Sequence, residues 1–326
     1  MTAPTADRRL VLTRLGQAGA VLAASGTLAA LWLRWPGRFR GAAAARALRD
    51  RRVGDEHGRP PLVVARGSDP ALTVRAAVAA LGGMDRFVRR GEAVLVKPNM
   101  AWDRRPEQGA DTHPEVVAEV VRLCRAAGAR RVIVADNPVH DAARVAERSG
   151  IGAAATAAGA DFVLPGQSGF EWTALGGSVL ASWDVLSVLS QADRLINVPV
   201  AKHHSLCHLT CGLKNHMGLI GGSRGRLHQE IHPALVDLAA AFRPTLTVVD
   251  ATRVMMRNGP TGGRLEDVAA VNAVAAGTDP VACDAWAARQ LGLDPRDVGH
   301  LVLAEGRGLG SLTAGAGAVA EVVANG

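Results

Sequence analysis

The 326-residue sequence predicts an α/β protein, a mostly parallel sheet flanked by helices. Three observations predict it. From Pro61 onward, short apolar runs alternate with helical stretches. The hydrophobic content of 48% is enough for a substantial core. Lys97, Asp136, Lys202 and Asp250 each close an apolar run of β type, and ligands of open parallel sheets bind beyond the strands' carboxyl ends. The pattern also accommodates two Rossmann-like halves with the site between them.

The chain divides into three parts. Residues 1–40 read as a signal or membrane anchor. Arg8-Arg9 precede an uncharged run over 15–33, and Trp32, Arg34, Trp35, Arg38 and Arg40 flank its end. This is twin-arginine-like and just long enough to span a bilayer, so the protein is expected to be exported or membrane-anchored in the cell envelope. Small residues at Ala42–Ala45 leave both a cleaved signal and an uncleaved anchor open. Residues 41–60 read as a linker, and 61–326 as one α/β domain.

Within that domain the expected order begins with a strand at 62–65 and a helix at 70–81. A strand at 93–96 runs into Lys97-Pro98-Asn99. A helix at 114–127 starts near Thr112 or His113. A strand at 132–135 ends at Asp136, a helix covers 141–149, and a short strand 162–164. The glycine-rich stretch 166–180 carries no clear periodicity. A strand at 195–200 ends near Lys202, a helix covers 233–241, and a strand at 246–249 ends at Asp250. A strand at 271–275, helices at 280–290 and 298–304, and a strand at 320–323 complete the domain. Thr278 or Asp279 is placed to cap the helix at 280–290.

The stretch from Lys202 to His232 concentrates the chemistry. It holds six of the ten histidines, two of the four cysteines and two of the three lysines. Of 37 Lys+Arg, only Lys97, Lys202 and Lys214 are lysine. On a solvated surface the two residues are nearly interchangeable, but at a site a compact, titratable amine differs from a permanently charged fork. Lysine kept in so arginine-biased a chain marks positions where arginine fails.

If 204–217 is helical, His204, His208, Cys211 and Asn215 share a face. His204, His208 and Cys211 then form a candidate set for a transition metal. Gly221-Gly222-Ser223-Arg224-Gly225-Arg226 is a flexible basic loop whose N–H groups can cradle an anion. Asn258-Gly259-Pro260 is either a turn or a ligand-approaching loop. The four cysteines form no disulfide framework and no ferredoxin-like run. The absence of a G-x-G-x-x-G after the first strand removes support for a nicotinamide site, and no G-x-S-x-G occurs. The net charge of +7 is concentrated in the N-terminal arginines, and aromatic content is 3% with no tyrosine. Nucleic acid is therefore not an expected partner.

From Val94 to Gly292 the chain resembles the domain-of-unknown-function family 362, sometimes found in iron–sulfur proteins. The matching pieces are VLVKPN (94–99), THPEVV (112–117), VIVADNP around Asp136, VPVAKHH (198–204), GLKNHMGL (212–219) and His232 with ALVDL (234–238). LTVVDA (246–251), NGPTGG (258–263) and GTDPVACDA (277–285) complete the set. The resemblance implies that Lys97, Asn99, Lys202, His204, Lys214, Asn215, His232, Asp250, Asp279 and Asp284 belong to the family pattern. Cys207, His208 and Cys211 look particular to this chain. Two departures stand out: there is no added cysteine-rich segment, and Val254-Met255-Met256-Arg257 lacks an expected glutamate.

The leading expectation is a cell-envelope enzyme acting on an anionic or carbonyl-bearing small molecule, with redox chemistry within its range. Lys97, Lys202 and Lys214 are expected to bind or polarise the substrate, and His204 or His232 to act as general acid/base oriented by Asp250. Lys97, Asn99, Asp136, Asn215, Asn258 and Gly259 are expected to line the ligand site. The alternative is a non-catalytic carrier of a metal, iron–sulfur cluster or other cofactor, with His204, His208 and Cys211 as ligands. A third reading is a structural partner of a redox protein. The expected partners are an anionic small molecule, a redox protein and, through residues 15–33, a membrane.

Overall fold

In a computed structural model the described residues are 45–54, 60–313 and 319–324. The expected signal or anchor over 1–40 and its apolar run at 15–33 lie outside them. Among the described residues no helix is long and apolar enough to cross a membrane.

The strands are β1 (Arg46–Ala47), β2 (Leu62–Arg66), β3 (Ala93–Pro98), β4 (Arg131–Ala135), β5 (Asp161–Val163), β6 (Phe170–Ala174) and β7 (Ser182–Leu186). They continue as β8 (Arg194–Val198), β9 (Val200–His204), β10 (His208–Thr210), β11 (Leu246–Met255), β12 (Val268–Gly277) and β13 (Val319–Val323). The helices are α1 (Pro70–Ala80), α2 (Pro114–Ala126), α3 (Ala142–Arg148), α4 (Ile151–Ala157) and α5 (Pro165–Ser168). After these come α6 (Gly212–Asn215), α7 (Ile231–Phe242), α8 (Pro280–Gln290) and α9 (Gly299–Gly306).

A ten-stranded sheet carries the fold, ordered β13-β2-β12-β11-β8-β3-β4-β5, with β9 beside β11 and β10 beside β9. The run β11-β8-β3-β4-β5 is parallel throughout. β12 is antiparallel to both of its neighbours. One sheet therefore runs through the body. The small sheet β1-β6-β7 stands apart.

The apolar alternation explains the layering. Val94, Val96, Val132, Val134, Ile196 and Val198 face the core shared with α1, α2, α3 and α4. Leu95, Ile133, Ala135 and Leu195 face the opposite core with α7. Near β11 and β12 that second face continues against α8 and α9. A sheet buried on both faces needs such near-continuous apolar strands. Among the described residues, side-chain caps fix four α-helix starts: Asp69 on α1, His113 on α2, Asp141 on α3 and Asp279 on α8.

Four expectations are corrected. Residues 204–217 are not one helix; they form the hairpin β9–β10 and then the short α6, with His204 paired across the ladder to His208. The run at 246–249 does not stop at Asp250, because β11 continues to Met255 against β12. The stretch 166–180 holds most of α5 and all of β6. Residues 45–51, read as linker, are tied to the domain. Arg51 is buried and donates to Leu189 O at 2.8 Å and to Ala192 O, and its own carbonyl accepts from Thr245 Oγ1 at 2.7 Å.

Candidate functional site

At the carboxyl ends of β3, β4 and β9 lies a cavity of about 310 Å³, within the roughly 300–1,000 Å³ usual for small-molecule pockets. All three lysines of the chain line it. Arg224 is a fourth cation, and Asp136 is the single carboxylate among the lining residues. Asn99, Thr210, Asn215, His204 and His228 add polar groups, while Trp102, Val139, Met217 and Pro260 supply apolar wall.

The three lysines differ in what they already hold. Lys97 Nζ donates to Pro98 O at 2.7 Å and Asn215 Oδ1 at 2.9 Å, and it pairs with Asp136 Oδ1 at 2.8 Å. An ammonium has three N–H donors, so Lys97 is saturated and acts as a strut. Asp136 Oδ1 also accepts from Asn137 N, and its Oδ2 accepts from Met100 N at 2.7 Å. Lys202 Nζ donates to Asn99 Oδ1 at 3.3 Å and to Ala110 O, leaving one N–H for a ligand. Lys214 Nζ has one hydrogen-bond contact among the described residues, the weakly accepting Met217 Sδ at 3.6 Å. Burial holds all three amines below the usual lysine value. For Lys202 the neighbouring Asp111 carboxylate opposes that shift, and Lys214 adds to it.

The scaffold that aims Lys214 is specific. Asp284, buried on α8, accepts from Gly212 N at 2.7 Å and Leu213 N at 3.0 Å, seating the start of α6. Burial lifts its carboxyl to about 7. Asn215 Nδ2 donates to Asn197 Oδ1 and Lys97 O, locking the far end of α6 to β3 and β8. Gly218 then passes over the ion pair. A Cβ there would lie 1.8 Å from Asp136 Oδ1 and 2.5 Å from Lys97 Nζ, so only glycine fits.

Two histidines at the cavity are oriented by backbone groups. His204 Nδ1 accepts from Leu206 N at 3.1 Å and Cys207 N at 3.3 Å, so its hydrogen sits on Nε2. Burial, reinforced by Lys214, lowers its pKa to about 3, which makes it a neutral hydrogen-bond donor. His228 Nδ1 lies 2.9 Å from Gly225 O, a group that only accepts, so Nδ1 of His228 carries a hydrogen. The two rings stack at 6.5 Å. Arg224 donates to Asn137 O at 2.5 Å, Met217 O at 3.2 Å and Pro138 O, none of which neutralises its charge. Thr210 Oγ1 is buried and has no partner among the described residues.

Of the residues expected at the site, Lys97, Asn99, Asp136, Lys202, His204, Lys214 and Asn215 converge on the cavity, and the others stand elsewhere. Asp250 orients no histidine: its Oδ2 accepts from His113 N at 2.7 Å, and its Oδ1 accepts from Thr252 N and Oγ1. His232 stacks on the buried His300 at 5.7 Å and does not line the cavity. Asn258 binds Asp267 Oδ2, and Gly259 N donates to His203 Nδ1, so the turn docks on the β9–β10 hairpin and presents Pro260 instead.

The metal set does not assemble. His208 is exposed with φ +65°, whereas Cys211 is fully buried, and burial pushes its thiol well up, away from the thiolate a metal needs. Among the described residues no group of three or more His, Cys, Asp or Glu could hold a metal ion. Several cavity residues had no assigned role in the sequence. Arg224 was signalled by its basic glycine-rich loop and His228 by the histidine cluster, but Trp102, Thr210 and Met217 carried no signal.

Residues 94–289 match the family described as Domain of unknown function (DUF362), more than half of the chain. The chain belongs to the DUF362 family. The chain is 31% identical over 255 residues to the thylakoid-associated protein sll1697 of Synechocystis, covering 73% of this chain and 74% of that protein. Among solved structures, the lactate racemase apoprotein from Thermoanaerobacterium thermosaccharolyticum aligns with a TM-score of 0.39 at 13% identity. That alignment covers 70% of this chain and spans 57% of the racemase chain. The DUF362 match encloses every lining residue of the cavity, from Lys97 to Pro260.

Proposed function

We propose that this DUF362 protein is a cell-envelope enzyme acting on a small anionic, carbonyl-bearing molecule held in the lysine-lined cavity. One observation carries the reading: four cationic side chains line the cavity against one carboxylate, and that carboxylate is already bound to Lys97. Burying unpaired charge is costly, and an anion in the cavity supplies the missing partner. Lys202 and Lys214 bind the anion, His204 Nε2–H polarises its carbonyl oxygen, and His228 Nε2 accepts a proton. Placement in the envelope rests on the twin-arginine-like segment at 1–33, and the thylakoid association named for the Synechocystis relative is compatible with it. The carrier alternative has less support, since its donors His204, His208 and Cys211 do not converge.

Isothermal titration with oxalate, phosphate and small 2-oxo acids tests the anion reading. At least one should bind the wild-type protein, and Lys214→Met should weaken it at least tenfold. If none binds the wild type more tightly than Lys214→Met, the reading is wrong. Cell fractionation of wild type and an Arg8→Lys/Arg9→Lys variant tests the envelope placement, which fails if both remain in the cytosol.

A further inference from the structure

The cavity contains every lysine in the chain, yet among the described residues only one of the three amines lacks a strong protein acceptor. A primary amine attacks a carbonyl through its nitrogen lone pair, so it must be neutral and must not be committed to donating all its hydrogens. Lys97 fails that condition, because its three donors meet Pro98 O, Asn215 Oδ1 and Asp136 Oδ1. Lys202 is held by Asn99 Oδ1 and Ala110 O. Among the described residues Lys214 has only a thioether as hydrogen-bond partner; it stands on a helix start fixed by Asp284 and shares its cavity with three other cations.

Resting on the anion-site reading above, we infer that Lys214 is a Schiff-base nucleophile that captures the carbonyl carbon of a small 2-oxo acid. Arg224 and Lys202 hold the carboxylate while the amine reaches the adjacent carbonyl. The Lys214 lone pair forms the N–C bond as the C=O π pair moves onto oxygen. One amine hydrogen passes to that oxygen, giving the carbinolamine. The second leaves with the hydroxyl as water, leaving C=N, so both amine hydrogens end in the water and no oxidant or reductant is consumed. His204 Nε2–H stabilises the developing oxyanion, and His228 Nε2 relays the moving proton. Burial first of all, and the Arg224 charge with it, favours the neutral amine at Lys214, while Cys207 acts in the opposite direction.

The scarcity of lysine makes the test clean, because Lys97, Lys202, Lys214 and the α-amino group are the only primary amines. The full chain is incubated with glyoxylate and sodium cyanoborohydride at neutral pH, and adducts are located by peptide mass. Lys214 should be modified at least tenfold faster than Lys97 and faster than the α-amine. Oxalate, which has the carboxylates but no electrophilic carbonyl, should slow that labelling at least tenfold. Lys214→Arg, confirmed folded by circular dichroism, should lose the fast adduct.

Modification of Lys214 no faster than Lys97, while oxalate still binds in a Lys214-dependent way, overturns the nucleophile and leaves the anion site standing. Fast labelling that oxalate does not slow overturns it too, since the reactive amine would then lie outside the anion site. If none of oxalate, phosphate and the 2-oxo acids binds and Lys214 is not labelled, both readings fall.

Discussion

Lys97 Nζ lies 2.8 Å from Asp136 Oδ1, with the two side chains only 1% and 3% exposed. A buried ion pair of this kind is costly to break, because the remaining charge has no water to turn to. Asp136→Asn should cost about 3–5 kcal/mol of unfolding free energy. Lys97→Met/Asp136→Leu should recover only part of that loss, since Met100 N and Asn137 N also rely on Asp136. Urea unfolding of the single and double variants checks both statements.

Gly218 is the narrowest point of the same wall. Adding one methyl, Gly218→Ala, forces the backbone off the ion pair and should destabilise by about 1–3 kcal/mol, the usual cost of overpacking. It should also weaken anion binding, because Met217 and the start of the Arg224 loop move with it. Gly225→Ala, where a Cβ meets nothing within 4 Å, is the matched control and should be near neutral in stability.

Anion binding should depend on pH with a definite sign. Burial holds the amines of Lys202 and Lys214 below the ordinary lysine value, so the free protein loses those charges earlier as pH rises. A bound carboxylate restores the charged form of Lys202, whose third N–H is open to it, and a bound anion without a carbonyl does the same for Lys214. Binding therefore takes up protons, and affinity should fall with rising pH by up to about tenfold per unit for each lysine deprotonating. Titration calorimetry in buffers of different ionisation enthalpy reads the proton uptake directly, and a constant, buffer-independent heat would contradict it.

Three buried histidines set the acid limit of the fold. Burial lowers His204, His216 and His300 each to about 3, whereas an unfolded chain protonates them near 6.5. The unfolded state then binds more protons between those values. Their stabilising effect is complete above pH 6.5 and is lost as pH falls towards 3. Each contributes up to about 1.4 kcal/mol per pH unit in that window. His216→Leu, close in volume and packed near Phe242, should flatten the decline in urea midpoint between pH 7 and 5.

The residues set aside as metal ligands make a contrasting prediction. His208→Ala and Cys211→Ala should leave the metal content of anaerobically purified protein unchanged. His208→Ala should barely alter stability, because the side chain is exposed. Cys211→Ala should cost about 1 kcal/mol through lost packing against Asp284 and the surrounding core.

Much of the fold was legible because its signals are local. Apolar runs of four to six residues and capping residues such as Asp69 and Asp279 specify strands and helix starts without reference to distant chain. The region after Lys202 misled for the same reason. Spacing at 204, 208 and 211 suits a helix, but β11 offers β9 an edge, and that long-range pairing overrides local periodicity. Asp250 was misplaced because β12 on one side and β9 on the other extend β11 past the level where β8 stops.

By itself the sequence determined the α/β class, the position of Lys97 and Asp136 at strand ends, and the rarity of lysine that marked all three amines, whereas Lys202 proved to lie in the middle of β9. Only the tertiary structure decided how those amines divide the work. Lys97 is saturated by partners at positions 98, 136 and 215, Lys202 is held by 99 and 110, and Lys214 is left with Met217. Composition and periodicity report which groups a chain carries. Hydrogen-bond saturation depends on which groups the fold brings within 3 Å, and the Lys97–Asn215 contact joins residues 118 apart.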